Sequence, residues 1–180
     1  QLEDSSPLYI VLPHTLKDVK NICKFAQREK INVSVRGGGH SYINASSSGQ
    51  MIISLEKLKG LELTLTPTKR FAWILGGSRL GEVAYALAYN NLETPHGVCP
   101  NVGVGGWYLG SGEGLWQRKY GLGGHVLMDV DMLLLENNKF KRVKSVATYD
   151  KDLMKSLRGG GQCNFGIVLR FKIKVFPQSK

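Results

Sequence analysis

A chain of 180 residues with 42% apolar side chains can bury the core of one ordinary domain and has a globular rather than a low-complexity composition. The formal net charge of +10 raises the question of a polyanionic partner. However, no basic helix or aromatic-basic stripe appears: Lys139, Lys141, Lys172 and Lys174 alternate with apolar neighbours, as on a solvated sheet face, so nucleic acid is not an expected partner.

In chain order, the apolar run Leu8 to Leu12 predicts a first strand that ends at Pro13. Leu16 to Lys30 then fits a helix. Thr15 can cap it with Asp18 three residues on, and Leu16, Val19, Ile22, Cys23 and Ala26 share a face. Asn32 to Arg36 alternates as a strand and breaks at Gly37-Gly38-Gly39, after which short strands are expected near Met51 to Leu55, Leu61 to Leu65 and Phe71 to Leu75. A second amphipathic helix spans Leu80 to Tyr89, with Leu80, Val83, Ala84, Leu87 and Ala88 as its buried stripe. A long glycine-rich loop runs from Gly97 to Gly114. Val126 to Glu136, Asn137-Asn138 and Lys139 to Val143 read as a hairpin, followed by a short helix near Asp152 to Leu157, a further glycine cluster and a last strand, Ile167 to Val175. The order is mixed α and β with no internal repeat and no linker, so residues 1–180 form one domain. No apolar run, Met132 to Leu135 included, is long enough to cross a bilayer. Three cysteines, Cys23, Cys99 and Cys163, are too few for a disulfide framework, and at least one is free, bound or paired outside the chain. No metal site is expected.

The 22 glycines concentrate in three clusters, more than turn-making alone requires. Gly37-Gly38-Gly39 leaves a strand, so its backbone N–H groups can form an anion-binding nest, with Arg36 and Ser41 as further donors; a plain tight turn is the alternative. Neither a dinucleotide fingerprint nor a P-loop is present. The second cluster, GVCPNVGVGGWYLGSGEGLWQRKYG from Gly97 to Gly121, is too long for an ordinary connector. Its small residues would let backbone lie against a large flat ligand. Trp107, Tyr108 and Trp116 either shape the walls of such a site or pack in the core.

Five segments in sequence, VRGGGHSY (Val35 to Tyr42), AWILGGSRLGEVAYAL (Ala72 to Leu87), GVCPNVGVGG (Gly97 to Gly106), RKYGL (Arg118 to Leu122) and LRGGGQCNFGIV (Leu157 to Val168), resemble flavoproteins of the vanillyl-alcohol oxidase type. Their bicovalent branch includes berberine bridge enzyme and the oligosaccharide oxidases. The resemblance covers nearly the whole chain. It implies an α+β fold, a PCMH-type FAD-binding domain of two small α/β subdomains enclosing the cofactor.

The resemblance also implies bicovalent FAD, with His40 on the 8α-methyl carbon and Cys99 on ring carbon C6. Arg36, Gly37, Gly38, Gly39 and Ser41 would hold the diphosphate. Gly103, Gly105, Gly106, Gly110 and Gly112 would line the long loop, and Asn164, Gly166 and Val168 would add contacts further along the cofactor. Val102, three residues beyond Cys99, would face the reactive edge of the flavin and gate O2.

The function so implied is an FAD-linked oxidoreductase. Hydride would pass from an alcohol or amine carbon of a carbohydrate or small secondary metabolite to flavin and on to O2; a catalytically incomplete flavin-binding module is the alternative. The substrate domain and the catalytic base are expected outside these residues. Secretion is expected from the family's habit and from two sequons, Asn32-Val33-Ser34 and Asn44-Ala45-Ser46, with Asn44 the better glycan site because it follows the glycine loop in a Ser-rich stretch. The chain departs from the family at Gly123-Gly124-His125-Val126, at Asn101 after Cys99-Pro100, and at Met154-Lys155.

Overall fold

The computed structural model describes residues 6–162 and 164–179. Strand β1 (Tyr9–Val11) leads into helix α1 (Leu16–Arg28), whose start is fixed by a reciprocal capping box. Thr15 Oγ1 accepts from the Asp18 N–H at 3.2 Å and Asp18 Oδ2 accepts from the Thr15 N–H at 2.8 Å. Val19, Cys23 and Ala26 are its buried face, as the periodicity predicts. Strands β2 (Val33–Arg36) and β3 (Met51–Ser54) complete a parallel sheet of order β1-β3-β2. A single 3-10 turn, Leu55–Lys57, leads out of β3.

Strands β4 (Leu61–Leu65) and β5 (Arg70–Leu75) precede α2 (Leu80–Tyr89). Leu80, Val83 and Leu87 of α2 are buried, but Ala88, expected in the same stripe, is exposed. Strand β6 (Leu92–Glu93) follows.

The glycine-rich segment is not structureless, because Val104–Leu109 forms α3, followed by the short helices α4 (Gln117–Tyr120) and α5 (Gly123–Val126). Glycine disfavours helix, so α3 is held by its packing: Val104, Trp107, Tyr108 and Leu109 are all buried. Trp107 and Tyr108 meet edge to face, with ring centroids 4.9 Å apart. These two aromatics are therefore core residues rather than walls of an open site. Burial pushes the Tyr108 phenol pKa upward.

Strands β7 (Leu127–Glu136) and β8 (Lys139–Val143) form the expected hairpin. Asn137 and Asn138 both adopt positive φ, at 46° and 63°, as a two-residue turn matched to strand twist demands. Helices α6 (Val146–Tyr149) and α7 (Lys151–Ser156) and strands β9 (Ile167–Lys174) and β10 (Phe176–Pro177) complete the described elements. The larger sheet is antiparallel, in the order β4-β5-β9-β7-β8, and β10 pairs with β6.

Two hydrophobic clusters result. One packs α2 and α3 on the larger sheet through Leu80, Leu87, Tyr108, Val130 and Phe171. The other joins α1 and the parallel sheet to Leu133 and Leu169 on the larger one. This is the α+β arrangement of two small units expected for an FAD-binding domain.

Asp131 on β7 is fully buried. It is bonded by Arg142 of β8, through Nε at 2.9 Å and Nη2 at 2.6 Å, and by Arg170 Nε of β9 at 2.9 Å. Lys172 lies over the Phe71 ring, 4.0 Å from its centroid, and Arg170 over the Trp73 ring at 4.8 Å. Part of the basic excess thus serves the sheet itself. No helix among the described residues is long and apolar enough to cross a membrane.

Candidate cofactor site

The first glycine cluster leaves β2 and folds against the loop that carries Cys99. A Cβ on Gly38 would fall 2.9 Å from the Gly103 Cα, closer than side chains tolerate, so glycine is what lets the two backbones meet. Gly39 takes a φ of 75°, the left-handed turn that directs the chain into His40.

The Cys99 loop is seated on the start of α2. The first N–H groups of a helix lack intrahelical partners. Here the Leu80 N–H donates to the Val102 carbonyl at 2.9 Å and the Gly81 N–H to the Pro100 carbonyl at 3.0 Å. The carbonyl between them, that of Asn101, accepts from Arg79 Nη1 at 3.2 Å and lies 3.2 Å from His40 Nε2. A carbonyl can only accept, so this contact selects the ring form with hydrogen on Nε2, which in the neutral ring leaves the lone pair on Nδ1. His40 and Cys99 are both exposed. The Cys99 carbonyl accepts from the Val102 N–H at 3.4 Å, which closes a tight turn.

Beside this junction lies a cavity of about 350 Å³ lined by Arg36, Gly37, Gly38, Gly39, Ser46, Ser47, Ser54, Glu56 and Arg79. Two guanidinium groups, three hydroxyls and glycine backbone make a donor set suited to a diphosphate, and the Glu56 carboxylate suits a sugar hydroxyl. The residues fit the phosphate-bearing part of FAD.

The other expected residues are distributed as follows. The Ser41 hydroxyl accepts from the Ala45 N–H within a local turn. Val102 is half-buried against the larger core. Gly105 and Gly106 lie in α3, and the Gly106 carbonyl accepts from Gln162. Gly110 is pressed by the Gln162 side chain and Gly112 by the Trp107 ring, so protein packing alone accounts for both. Asn164 Nδ2 donates to the Gly160 carbonyl. Gly166 lies against Met132, Leu133 and Leu134 of β7, away from the junction, whereas the Val168 carbonyl lies beside Gly76, whose N–H donates to the Leu169 carbonyl and whose own carbonyl faces Gly37.

The two described cysteines differ in burial. Burial pushes the Cys23 thiol up to about 11, so it is an inert core residue, whereas Cys99 is exposed. Cys163 lies outside the described residues.

Sequence reasoning missed Arg79, Asn101, Ser46, Ser47, Ser54 and Glu56. One signal was available for Arg79: a cation immediately before the first turn of a helix opposes the helix dipole.

The chain matches the family model described as an FAD binding domain over residues 7–144. It is 34% identical over 181 residues to berberine bridge enzyme-like 24 of Arabidopsis thaliana, covering 97% of this chain and 32% of the relative. Among solved structures, BBE-like 28 from Arabidopsis thaliana superposes with a TM-score of 0.83 at 30% identity, covering 97% of this chain and 36% of that one. Xylooligosaccharide oxidase from Myceliophthora thermophila, solved with xylobiose, superposes with a TM-score of 0.80 at 31% identity, covering 97% and 38%. The chain thus spans about a third of the length of the curated relatives it matches. Glycine loop, Cys99 loop and α2 converge on one anion-ready junction, and on these likenesses the chain belongs to the FAD-binding domain family and is similar to berberine bridge enzyme-like proteins.

Proposed function

We propose that this chain is the flavin-carrying part of an oxidase that tethers FAD through both His40 and Cys99. The observation that carries the reading is the Asn101 carbonyl. It draws the His40 ring against the Cys99 loop and favours the tautomer whose Nδ1 is free to bond carbon. An exposed thiol two residues before that carbonyl supplies the second nucleophile.

Bound there, FAD would supply an acceptor for hydride from a substrate carbon, with O2 as the final electron acceptor. The residues present do the rest. Arg36 and Arg79 would neutralise the diphosphate, the N–H groups of Gly37 to Gly39 would donate to it, Glu56 would accept from a sugar hydroxyl, and two side-chain links would hold the ring against displacement. Val102, in the turn that begins at Cys99, limits access of O2 to the ring. The substrate is an alcohol or amine carbon of a carbohydrate or small secondary metabolite. The residues that choose it, and the catalytic base, lie outside these 180 residues, in keeping with relatives about three times as long. The protein passes through the secretory pathway. Asn32 is exposed, whereas Asn44 is half-buried and adjoins the cavity-lining Ser46 and Ser47, which supports Asn32 ahead of Asn44 as a glycan site.

Acid precipitation followed by anaerobic addition of sugars and alcohols tests the reading. Yellow colour retained in the pellet, and bleaching of the native protein by a substrate, are the expected results. Colour without bleaching by any candidate leaves a flavin-binding module without turnover, and loss of all colour to the supernatant removes the tether.

A further inference from the structure

We propose that Arg79 is a positioning residue that couples occupation of the anion cavity to the presentation of His40, through the Asn101 carbonyl that both side chains share. The proposal rests on the flavin reading of the cavity and adds to it an order of events: phosphate first, attachment second.

Arg79 stands at the N-cap of α2, where a cation is unfavourable against the helix dipole. Glu82 relieves part of this by accepting from the Arg79 backbone N–H at 2.7 Å, but the guanidinium itself is not paired with that carboxylate. Among the described residues its hydrogen-bond partner is the Asn101 carbonyl alone. A guanidinium has five N–H donors in a rigid plane, so most of them are unused. The group lines the cavity, and a Cβ on Gly38 would lie 3.0 Å from its Nη1, which places it directly against the glycine nest.

One rigid fork therefore touches the anion site with one edge and the Cys99 loop with another. The neighbouring carbonyls, of Pro100 and Val102, are fixed by the backbone of α2. That of Asn101 depends on two side chains. When an anion takes the free N–H groups, the guanidinium is clamped in place. The carbonyl oxygen becomes a fixed acceptor, and the His40 ring is locked with hydrogen on Nε2 and the lone pair on Nδ1. A lysine can supply the charge but not the two-edged bridge. A purely structural strap would hold the loop equally well with or without the anion, and this difference is measurable.

The test uses the purified chain from a host limited for riboflavin, labelled with 15N on histidine and titrated with inorganic pyrophosphate. In the parent, pyrophosphate is expected to bind and to drive the His40 resonances to the Nε2–H tautomer. In Arg79→Ala its affinity should fall on the order of tenfold, the size of one lost charge-assisted hydrogen bond, and saturating pyrophosphate should leave the His40 signals unmoved. Arg79→Lys should recover most of the affinity without the tautomer change, and it serves in place of the alanine variant if that one does not fold. Pyrophosphate that shifts His40 equally in parent and variants overturns the proposal, as does pyrophosphate that binds the parent without moving His40. FAD titrated in parallel separates the two levels: equal FAD binding by parent and variants removes only the role of Arg79, whereas no FAD binding by the parent removes the flavin reading with it.

Discussion

Gly38 and Gly103 lie backbone against backbone, one in the loop that ends in His40 and the other in the loop that begins at Cys99. The contact joins two segments that are distant in the chain and leaves no room for a side chain on either. Gly38→Ala or Gly103→Ala is expected to separate the loops. Overpacking of this kind costs about 1–3 kcal/mol, so a lower melting temperature should accompany a loss of bound flavin, read from absorbance per chain after purification.

Val102 is half-buried at the turn between Cys99 and Gly103. If it limits access of O2 to the ring, Val102→Leu should slow reoxidation of the photoreduced protein by about tenfold or more, equivalent to about 1.4 kcal/mol of barrier. Stopped-flow mixing with O2 measures this directly. Reoxidation at the parent rate would take Val102 out of the oxygen reaction.

Glu93 on β6 ties the end of the described chain to α4. Burial alone would raise its carboxyl. Hydrogen bonds from the Ser179 hydroxyl at 2.6 Å, the Tyr120 hydroxyl at 2.5 Å and the Ser179 N–H at 3.1 Å, with Lys119 alongside, outweigh burial and hold it at about 2. A folded value below the unfolded one means that this stabilisation is complete above the ordinary carboxylate range, near 4.5, and is lost as pH falls toward 2. Denaturant titrations at pH 7, 4 and 3 should show the parent losing roughly 2–3 kcal/mol across that window. Glu93→Gln should be less stable at pH 7 and much less sensitive to pH.

Asp131 is the fully buried carboxylate between Arg142 and Arg170. Asp131→Asn leaves two partly exposed guanidinium groups without a counter-charge. Breaking a buried pair from one side costs about 3–5 kcal/mol, and the partial exposure of the arginines reduces this to roughly 2–3 kcal/mol. Thermal unfolding should register the change, while flavin content among folded molecules should not, because no described contact links Asp131 to the cavity.

Elements with strong local signals were legible in the sequence. The Thr15 cap with the spacing of Val19, Cys23 and Ala26, and the Asn137-Asn138 turn, each carry their structure within a few residues. Helix α3 was not legible, since glycine propensity argues against it and the burial of Val104, Trp107, Tyr108 and Leu109 sustains it. Two-residue strands such as β6 and β10 leave no periodicity to read. At the site, the glycine clusters with His40 and Cys99 stand out as motifs. Arg79 and Glu56 reach the same cavity from other parts of the chain, and local spacing cannot show such long-range convergence.

The central claim is that His40 and Cys99 both hold the flavin. Intact mass spectrometry of the denatured protein, produced with ample riboflavin, tests it most directly. The expected masses are chain plus one FAD for the parent and for either single variant, His40→Ala or Cys99→Ala, and the bare chain for the double variant. The bare chain mass in the parent would contradict the claim.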